Sequence, residues 1–263
     1  MTEPVLLTDG ALELEGRLLT ASNATFVGTL SLDGATAECV YKPVRGERPL
    51  WDFPDGTLAN RERAAYLVSE ATGWGLVPPT VLRDGPFGAG MVQLWIDASE
   101  ADDDAVALVD VVPLGEVPAG WLRVLDAEDD RRQAVSLIHR DSLVLQQLAT
   151  LDAMINNADR KGGHVLCGDD GRVYGCDHGV TFHQEGKLRT VLWGWAGEPL
   201  PDACRDGVSL VAAALTADLG EALRPLLSPV EQDALTARVR RLTRTARFPM
   251  PSQEWPAIPW PAF

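Results

Sequence analysis

The chain has 263 residues, a formal net charge of −15, 46% hydrophobic residues and four cysteines. Its length allows one large domain or two lobes, and its acidity argues against broad nucleic-acid binding and against docking on an anionic membrane. No apolar run approaches the roughly 18 residues of a membrane span; the opening MTEPVLLTDGALELEG has no basic n-region, and Cys39, Cys167, Cys176 and Cys204 form no disulfide-like framework, so a cytoplasmic protein without integral membrane association is expected.

Residues 12–42 read as a β-meander with turns at Ser22-Asn23 and Asp33-Gly34. Backbone N–H groups at the Ser22-Asn23 tip are candidates to fold over a phosphate, although an ordinary hairpin has the same pattern. Lys42 ends the third strand, directly before Pro43. Residues 43–57 read as a Pro/Gly-rich loop. A helix follows, with Ala64, Ala65, Val68 and Ala71 as its apolar stripe and Gly73 as its stop. Glu62 lies one turn before the middle of that stripe, either as an exposed carboxylate or as a partner for Lys42. After Pro78-Pro79 comes a short strand. AGMVQLWID then reads as a buried central strand, broken by the acidic tract 97–104. A lobe boundary is predicted there, with residues 1–97 as the N-lobe and 98–263 as the C-lobe. The backbone around Gln93, Trp95 and Asp97 forms a hinge suited to an adenine edge.

Residues 105–129 are ambiguous between a strand and a covering loop. From Asp130 the pattern predicts one long helix, with Ala134, Ile138, Leu145, Leu148, Leu151 and Ile155 on its apolar face and Asp129 or Asp130 at its N-cap. It leads into residues 151–182, the densest chemistry in the chain. If Asp170-Gly171 make a two-residue type I′ turn, Val165 faces Cys176 and His164 faces Asp177, with Cβ atoms roughly 4.5–5.5 Å apart. Asp159 lies on the loop feeding that pair. Two carboxylates and an imidazole there suit a divalent cation and a polarised hydroxyl. The series His164, Cys167, Cys176, His178 and His183 also permits a zinc reading. On this register, however, the cysteines point away from His164 and read as buried thiols.

Residues 208–219 read as helical. Ser228-Pro229-Val230-Glu231 combines a capping box with Pro at the first helical position. Arg238, Arg240, Arg241, Arg244 and Arg247 crowd that last helix, as a solvated face or a site for an acidic partner. The Pro/Trp-rich tail reads as an extended strap.

Taken in order, these motifs resemble the phosphatidylinositol 3-/4-kinase family over most of residues 12–182. The likeness is closest to the type II phosphatidylinositol 4-kinases and an actinobacterial group similar to them; the family is related to persistence-toxin-type protein kinases. Tyr41-Lys42-Pro43 resembles the ATP-lysine strand end, and Glu62-Arg63-Ala64-Ala65-Tyr66-Leu67 the helix that supplies its carboxylate partner. Asn157-Ala158-Asp159-Arg160-Lys161-Gly162-Gly163-His164 resembles the catalytic loop, and Cys176-Asp177-His178-Gly179 the metal-binding segment.

The resemblance implies an α+β, two-lobed protein-kinase-like fold, with an antiparallel-sheet N-lobe and a mostly helical C-lobe. It implies ATP and Mg²⁺ or Mn²⁺ as cofactors. Lys42 would contact the α/β-phosphates, Glu62 would orient it, Asp159 would serve the acceptor hydroxyl, and Asp177 would bind the metal. Asn157 and Arg160 would assist. His164 departs from the pattern, which places Asn there; imidazole suits Mn²⁺, Zn²⁺ or Fe²⁺ better than Mg²⁺. The expected activity is phosphotransfer to a hydroxyl of a soluble protein or small molecule. A nucleotide-binding pseudokinase or scaffold and a phosphoinositide lipid kinase are the alternatives.

Overall fold

The computed structural model describes residues 3–19, 23–53, 57–98 and 107–263. Helix α1 (Glu3–Asp9) leads into β1 (Ala11–Arg17), β2 (Phe26–Leu32) and β3 (Ala35–Pro43). Asp33 and Gly34 both take positive φ in the β2–β3 turn, the conformation that a two-residue hairpin requires. The Ser22 half of the other tip lies outside the described residues. After a short 3₁₀ turn at Val44–Gly46 comes α2 (Leu58–Thr72), then β4 (Thr80–Gly85) and β5 (Gly88–Leu94). These strands form one antiparallel sheet in the order β1-β2-β3-β5-β4. Leu30, Cys39, Tyr41, Val81 and Val92 make a small core with Leu6 and Leu7 of α1.

Helix α2 starts and stops for local reasons. Thr57 Oγ1 accepts the Asn60 N–H at 3.1 Å, and the Glu47 carboxylate accepts the N–H groups of Leu58 and Ala59 at 3.0 and 2.9 Å. These bonds satisfy amides that the first helical turn leaves unpaired. Gly73, at φ +75°, ends it in the left-handed conformation. Its stripe of Ala64, Ala65 and Val68 joins the larger core below rather than the small core of the sheet. Arg61 fixes this attachment: its Nε donates to Thr181 O at 3.1 Å and its guanidinium pairs with Glu231.

The second lobe contains a sheet that the sequence pattern concealed. β6 (Val109–Pro113), β7 (Trp121–Glu128) and β8 (Ala134–Arg140) form a three-stranded antiparallel sheet in the order β6-β8-β7. The single long helix predicted from Asp130 is therefore corrected: α3 spans only Leu143–Ile155, with Ser142 at its N-cap. The apolar positions of β8 happen to fall at helical spacings from those of α3. The backbone separates them, with the Arg140 N–H bound to Leu108 O and the Asp141 N–H to Gly120 O. β9 (Val165–Cys167) and β10 (Val173–Gly175) form a two-stranded ribbon. They are followed by α4 (Asp202–Ala214), α5 (Asp218–Leu223) and α6 (Pro229–Thr245), so the segment predicted as one helix over 208–219 is divided between α4 and α5. α6 carries the expected capping box between Ser228 and Glu231.

The arginines of α6 do not form one face. Arg238 turns inward and donates to Met154 O at 2.8 Å and His183 O at 3.1 Å, whereas Arg240, Arg241 and Arg244 are exposed. The Pro/Trp-rich tail, called the strap below, bonds back to the second lobe. Ala257 O accepts from Thr190 N and Ala262 O from Gly162 N, which places the strap behind the loop carrying Asp159. Among the described residues, no helix is long and apolar enough to cross a membrane.

Candidate active site

The two lobes enclose a cleft of about 850 Å³ lined by Lys42, Asn23, Gln93, Trp95, Asp97, Asp159, Lys161, His164, Cys176 and Asp177, among others. That volume lies within the range of small-molecule sites. β3 presents Lys42 opposite Met91 of β5. Its Nζ lies 2.7 Å from Glu62 Oε1 and 2.8 Å from Asp177 Oδ1. Burial lowers the lysine pKa, but the Asp177 and Glu62 carboxylates outweigh it and raise it above the usual lysine range. The same ammonium holds Asp177 well below the usual carboxylate range, against burial. Glu62 is pushed up by burial and drawn down by Lys42. Its Oε2 accepts the His178 N–H at 2.8 Å, so one carboxylate joins α2 to the strand-end lysine and to the segment bearing Asp177.

Arg160, expected among the groups that act on substrate, is instead fully buried. Its Nε lies 3.0 Å from Asp152 Oδ2, and its Nη2 lies 2.9 Å from Asp152 Oδ1 and 2.7 Å from His178 Nε2. Its Nη1 donates to His164 O and Cys176 O at 3.1 and 2.8 Å. All five guanidinium donors are occupied, which leaves it a positioning role. Asn157 works alongside: its Nδ2 donates to Asp152 Oδ1 at 2.9 Å, and its Oδ1 accepts the Asp159 N–H at 3.0 Å. Asp159 is thereby presented at the cleft with its side chain free of a close hydrogen bond; Lys161 Nζ stands 3.6 Å from Oδ2. Burial raises the Asp159 pKa, Lys161 lowers it, Asp177 raises it and Arg189 lowers it, with a net upward shift. That direction suits a proton acceptor.

The hairpin register differs from the predicted one by one residue. Gly175 pairs with Val165 and Tyr174 with Leu166. The Asp170 side chain closes a longer loop by accepting the Arg172 N–H at 2.9 Å and the Tyr174 hydroxyl at 2.8 Å. The Cys176 N–H consequently bonds His164 O, and Cys176 lines the cleft instead of facing away from His164. Burial, chiefly, pushes its thiol up to about 12, so it is not a thiolate. Asp177 follows at φ +57°, a left-handed position that Asp tolerates better than most residues.

The extra residue still leaves His164 and Asp177 together, with Nε2 3.5 Å from Oδ2. His164 Nδ1 lies 3.0 Å from Asp159 O. A carbonyl only accepts, so Nδ1 carries the proton and Nε2 presents a lone pair. Burial pushes the imidazole pKa down to about 4, so at neutral pH a lone pair faces a carboxylate. That donor pair fits a divalent cation. Among the described residues, no group of three or more His, Cys, Asp or Glu side chains is placed to hold a metal. Water and phosphate oxygens would have to complete the shell, as is common where Mg²⁺ accompanies a nucleotide. The histidines and cysteines of the zinc reading do not gather: His178 is bonded to Arg160, and His183 accepts from the Glu185 N–H.

The hinge is more constrained than its sequence suggested. Gln93 is buried and its side chain donates to Thr80 Oγ1 at 2.7 Å. The Trp95 N–H is bonded to Glu38 O, and Asp97 O to the Asp169 N–H. Ile96, between them, makes no backbone hydrogen bond among the described residues. Asn23 lines the opposite wall, its Oδ1 accepting the Arg48 N–H at 2.9 Å.

No protein-family model matches the chain. Protein Rv2133c of Mycobacterium tuberculosis is 51% identical over 266 residues, covering 99% of this chain and 95% of that protein. The chain belongs to the Rv2133c family. The structure of hydra Fam20 with sugar matches at a TM-score of 0.53 with 13% identity, covering 92% of this chain and 86% of that one. The crystal structure of the Golgi casein kinase with Mn/ADP bound matches at 0.52 with 14% identity, covering 91% and 73%. The family member described here therefore has a two-lobed, kinase-like α+β fold. The helical lobe also carries the β6-β8-β7 sheet.

Proposed function

We propose that this protein is an ATP-dependent phosphotransferase acting on a hydroxyl of a soluble acceptor, with a catalytic core like that of the phosphatidylinositol 3-/4-kinases. The observation that carries this reading is the meeting of Lys42, Glu62, Asp159 and Asp177, from four separate segments, around one cleft. Lys42 binds the α/β-phosphates of ATP, and Glu62 holds it in place. Asp177 and His164 would hold Mg²⁺ or Mn²⁺; the matching Golgi casein kinase structure has Mn and ADP bound. When bound, the cation neutralises phosphate charge. Asp159 orients the acceptor hydroxyl and takes its proton as the oxygen attacks the γ-phosphorus. The bond from that phosphorus to the β–γ bridging oxygen breaks, and ADP leaves with the bonding electrons. Asn157 and Arg160 keep the loop in register. Catalysis here is mainly positioning and charge neutralisation.

Purified protein is assayed for ADP formation with ATP and Mg²⁺ or Mn²⁺. The proposal expects turnover that falls by at least about a hundredfold in Asp159→Ala, while thermal stabilisation by nucleotide persists. Stabilisation without any turnover in the wild type would instead describe a nucleotide-binding scaffold.

A further inference from the structure

Arg189 is held beside Asp159 by backbone pairing, not by an ion pair. The Arg189 N–H donates to Asn157 O at 2.9 Å, the Arg160 N–H to Arg189 O at 3.1 Å and the Val191 N–H to Arg160 O at 3.1 Å. Arg160 and Thr190 form a parallel bridge, so Arg189 and Asp159, each one residue earlier, are lateral neighbours. The strap braces both segments through Thr190 N–Ala257 O and Gly162 N–Ala262 O. The Arg189 Nε donates to Ala158 O at 2.7 Å, and the guanidinium lies 5.9 Å from the Trp255 ring centroid. Its two terminal nitrogens have no hydrogen-bond or ion-pair partner among the described residues, yet its charge lowers the Asp159 pKa. Lys161 supplies a second cation on the same side, with only a long 3.6 Å approach to Asp159.

In a chain of net charge −15, two cations with free donors thus flank the proposed proton acceptor. Lys161 lines the nucleotide cleft, whereas Arg189 is not part of its lining. Arg189 therefore lies beside Asp159 but outside the nucleotide cleft. A planar guanidinium with its Nε already anchored offers its outer edge to an oxyanion.

We propose that the acceptor is an anionic alcohol, with a phosphate or carboxylate near the reacting hydroxyl, and that Arg189, assisted by Lys161, binds the anion. The proposal rests on the phosphotransferase reading above. The anion has two possible sources, a small phosphorylated polyol or the acidic neighbours of a serine in a peptide.

The test uses full-length protein saturated with a non-hydrolysable ATP analogue and Mn²⁺, so that the nucleotide phosphate sites are filled. Thermal unfolding is followed with glycerol against glycerol 3-phosphate, and with a neutral serine peptide against the same peptide flanked by glutamates. The anionic member of at least one pair is expected to bind about tenfold or more tightly than its neutral partner. That preference should vanish in Arg189→Gln and survive in weakened form in Arg189→Lys. Which pair responds identifies the source. Equal response to both members of each pair overturns the proposal, as does a preference unchanged in Arg189→Gln. If Arg189→Gln also loses its response to nucleotide, Arg189→Lys decides: a retained anion preference supports the site and a lost one overturns it. A wild type that the ATP analogue fails to stabilise removes the phosphotransferase reading itself, a failure distinct from the loss of anion preference.

Discussion

Replacing Asp152 by Ala would remove the counter-charge of a fully buried arginine. Asp152 and Arg160 are both 0% exposed, and their side chains meet at 2.9 Å. Without the carboxylate, the guanidinium keeps its carbonyl partners but has no ion pair, and Asn157 loses the acceptor of its Nδ2. Breaking a buried pair from one side costs about 3–5 kcal/mol, a large share of the roughly 5–15 kcal/mol that holds a typical domain together. Urea unfolding at neutral pH should show that loss as a lowered midpoint at unchanged slope. The double variant Asp152→Leu/Arg160→Met replaces the pair with apolar groups of similar volume, and should recover most of the stability. It should not recover ADP formation, because Arg160 also ties down His164 O, Cys176 O and His178. A loss below about 1 kcal/mol in Asp152→Ala, the range of an exposed pair, would refute this reasoning. Full turnover in the double variant would refute the positioning role of Arg160.

Acid should destabilise the fold through three histidines, two buried and one, His164, half-buried. His139, His164 and His178 all have lowered pKa values, with burial the largest cause. Each binds fewer protons folded than unfolded, so stability is complete above the ordinary histidine value and falls as pH drops below it, by up to about 1.4 kcal/mol per pH unit per histidine; unfolding midpoints compared at pH 7.5 and 5.5 check this, and equal midpoints would contradict it. Gly207→Ala in α4 places a Cβ against the Trp74 ring; the resulting strain of about 1–3 kcal/mol should outweigh the gain in helix propensity of about 1 kcal/mol, seen as a lowered Tm rather than a raised one.

The residues that bear charge for a local reason were legible in the sequence. Lys42 ends an apolar strand, Glu62 sits on a helix bounded by readable stop signals, and Asp159 and Asp177 flank a short ribbon. Their convergence was implied by the family resemblance of the ordered motifs, not by the residues alone. What the sequence hid depended on long-range partners. Arg160 stood among the assisting candidates through its place in the loop motif, but Asp152, His178 and two carbonyls absorb every donor it has. The ribbon register slipped because Asp170 and Tyr174 close a longer loop than Asp170-Gly171 alone would make, and that slip brought Cys176 into the cleft. The β6-β8-β7 sheet was masked because the apolar spacing of β8 continues into α3. Arg189 gave no local signal at all; its place beside Asp159 comes from a parallel pairing between segments about thirty residues apart, which no periodicity reports.

The central claim is that the cleft binds nucleotide through Lys42 and a cation held at Asp177. Calorimetric titration of a non-hydrolysable ATP analogue tests it directly, with and without Mn²⁺, in the wild type, Lys42→Met and Asp177→Ala. Binding should be strongest with Mn²⁺ in the wild type, weakened in Lys42→Met and no longer enhanced by Mn²⁺ in Asp177→Ala. Absence of binding in the wild type, or equal Mn²⁺ enhancement in all three proteins, would contradict it.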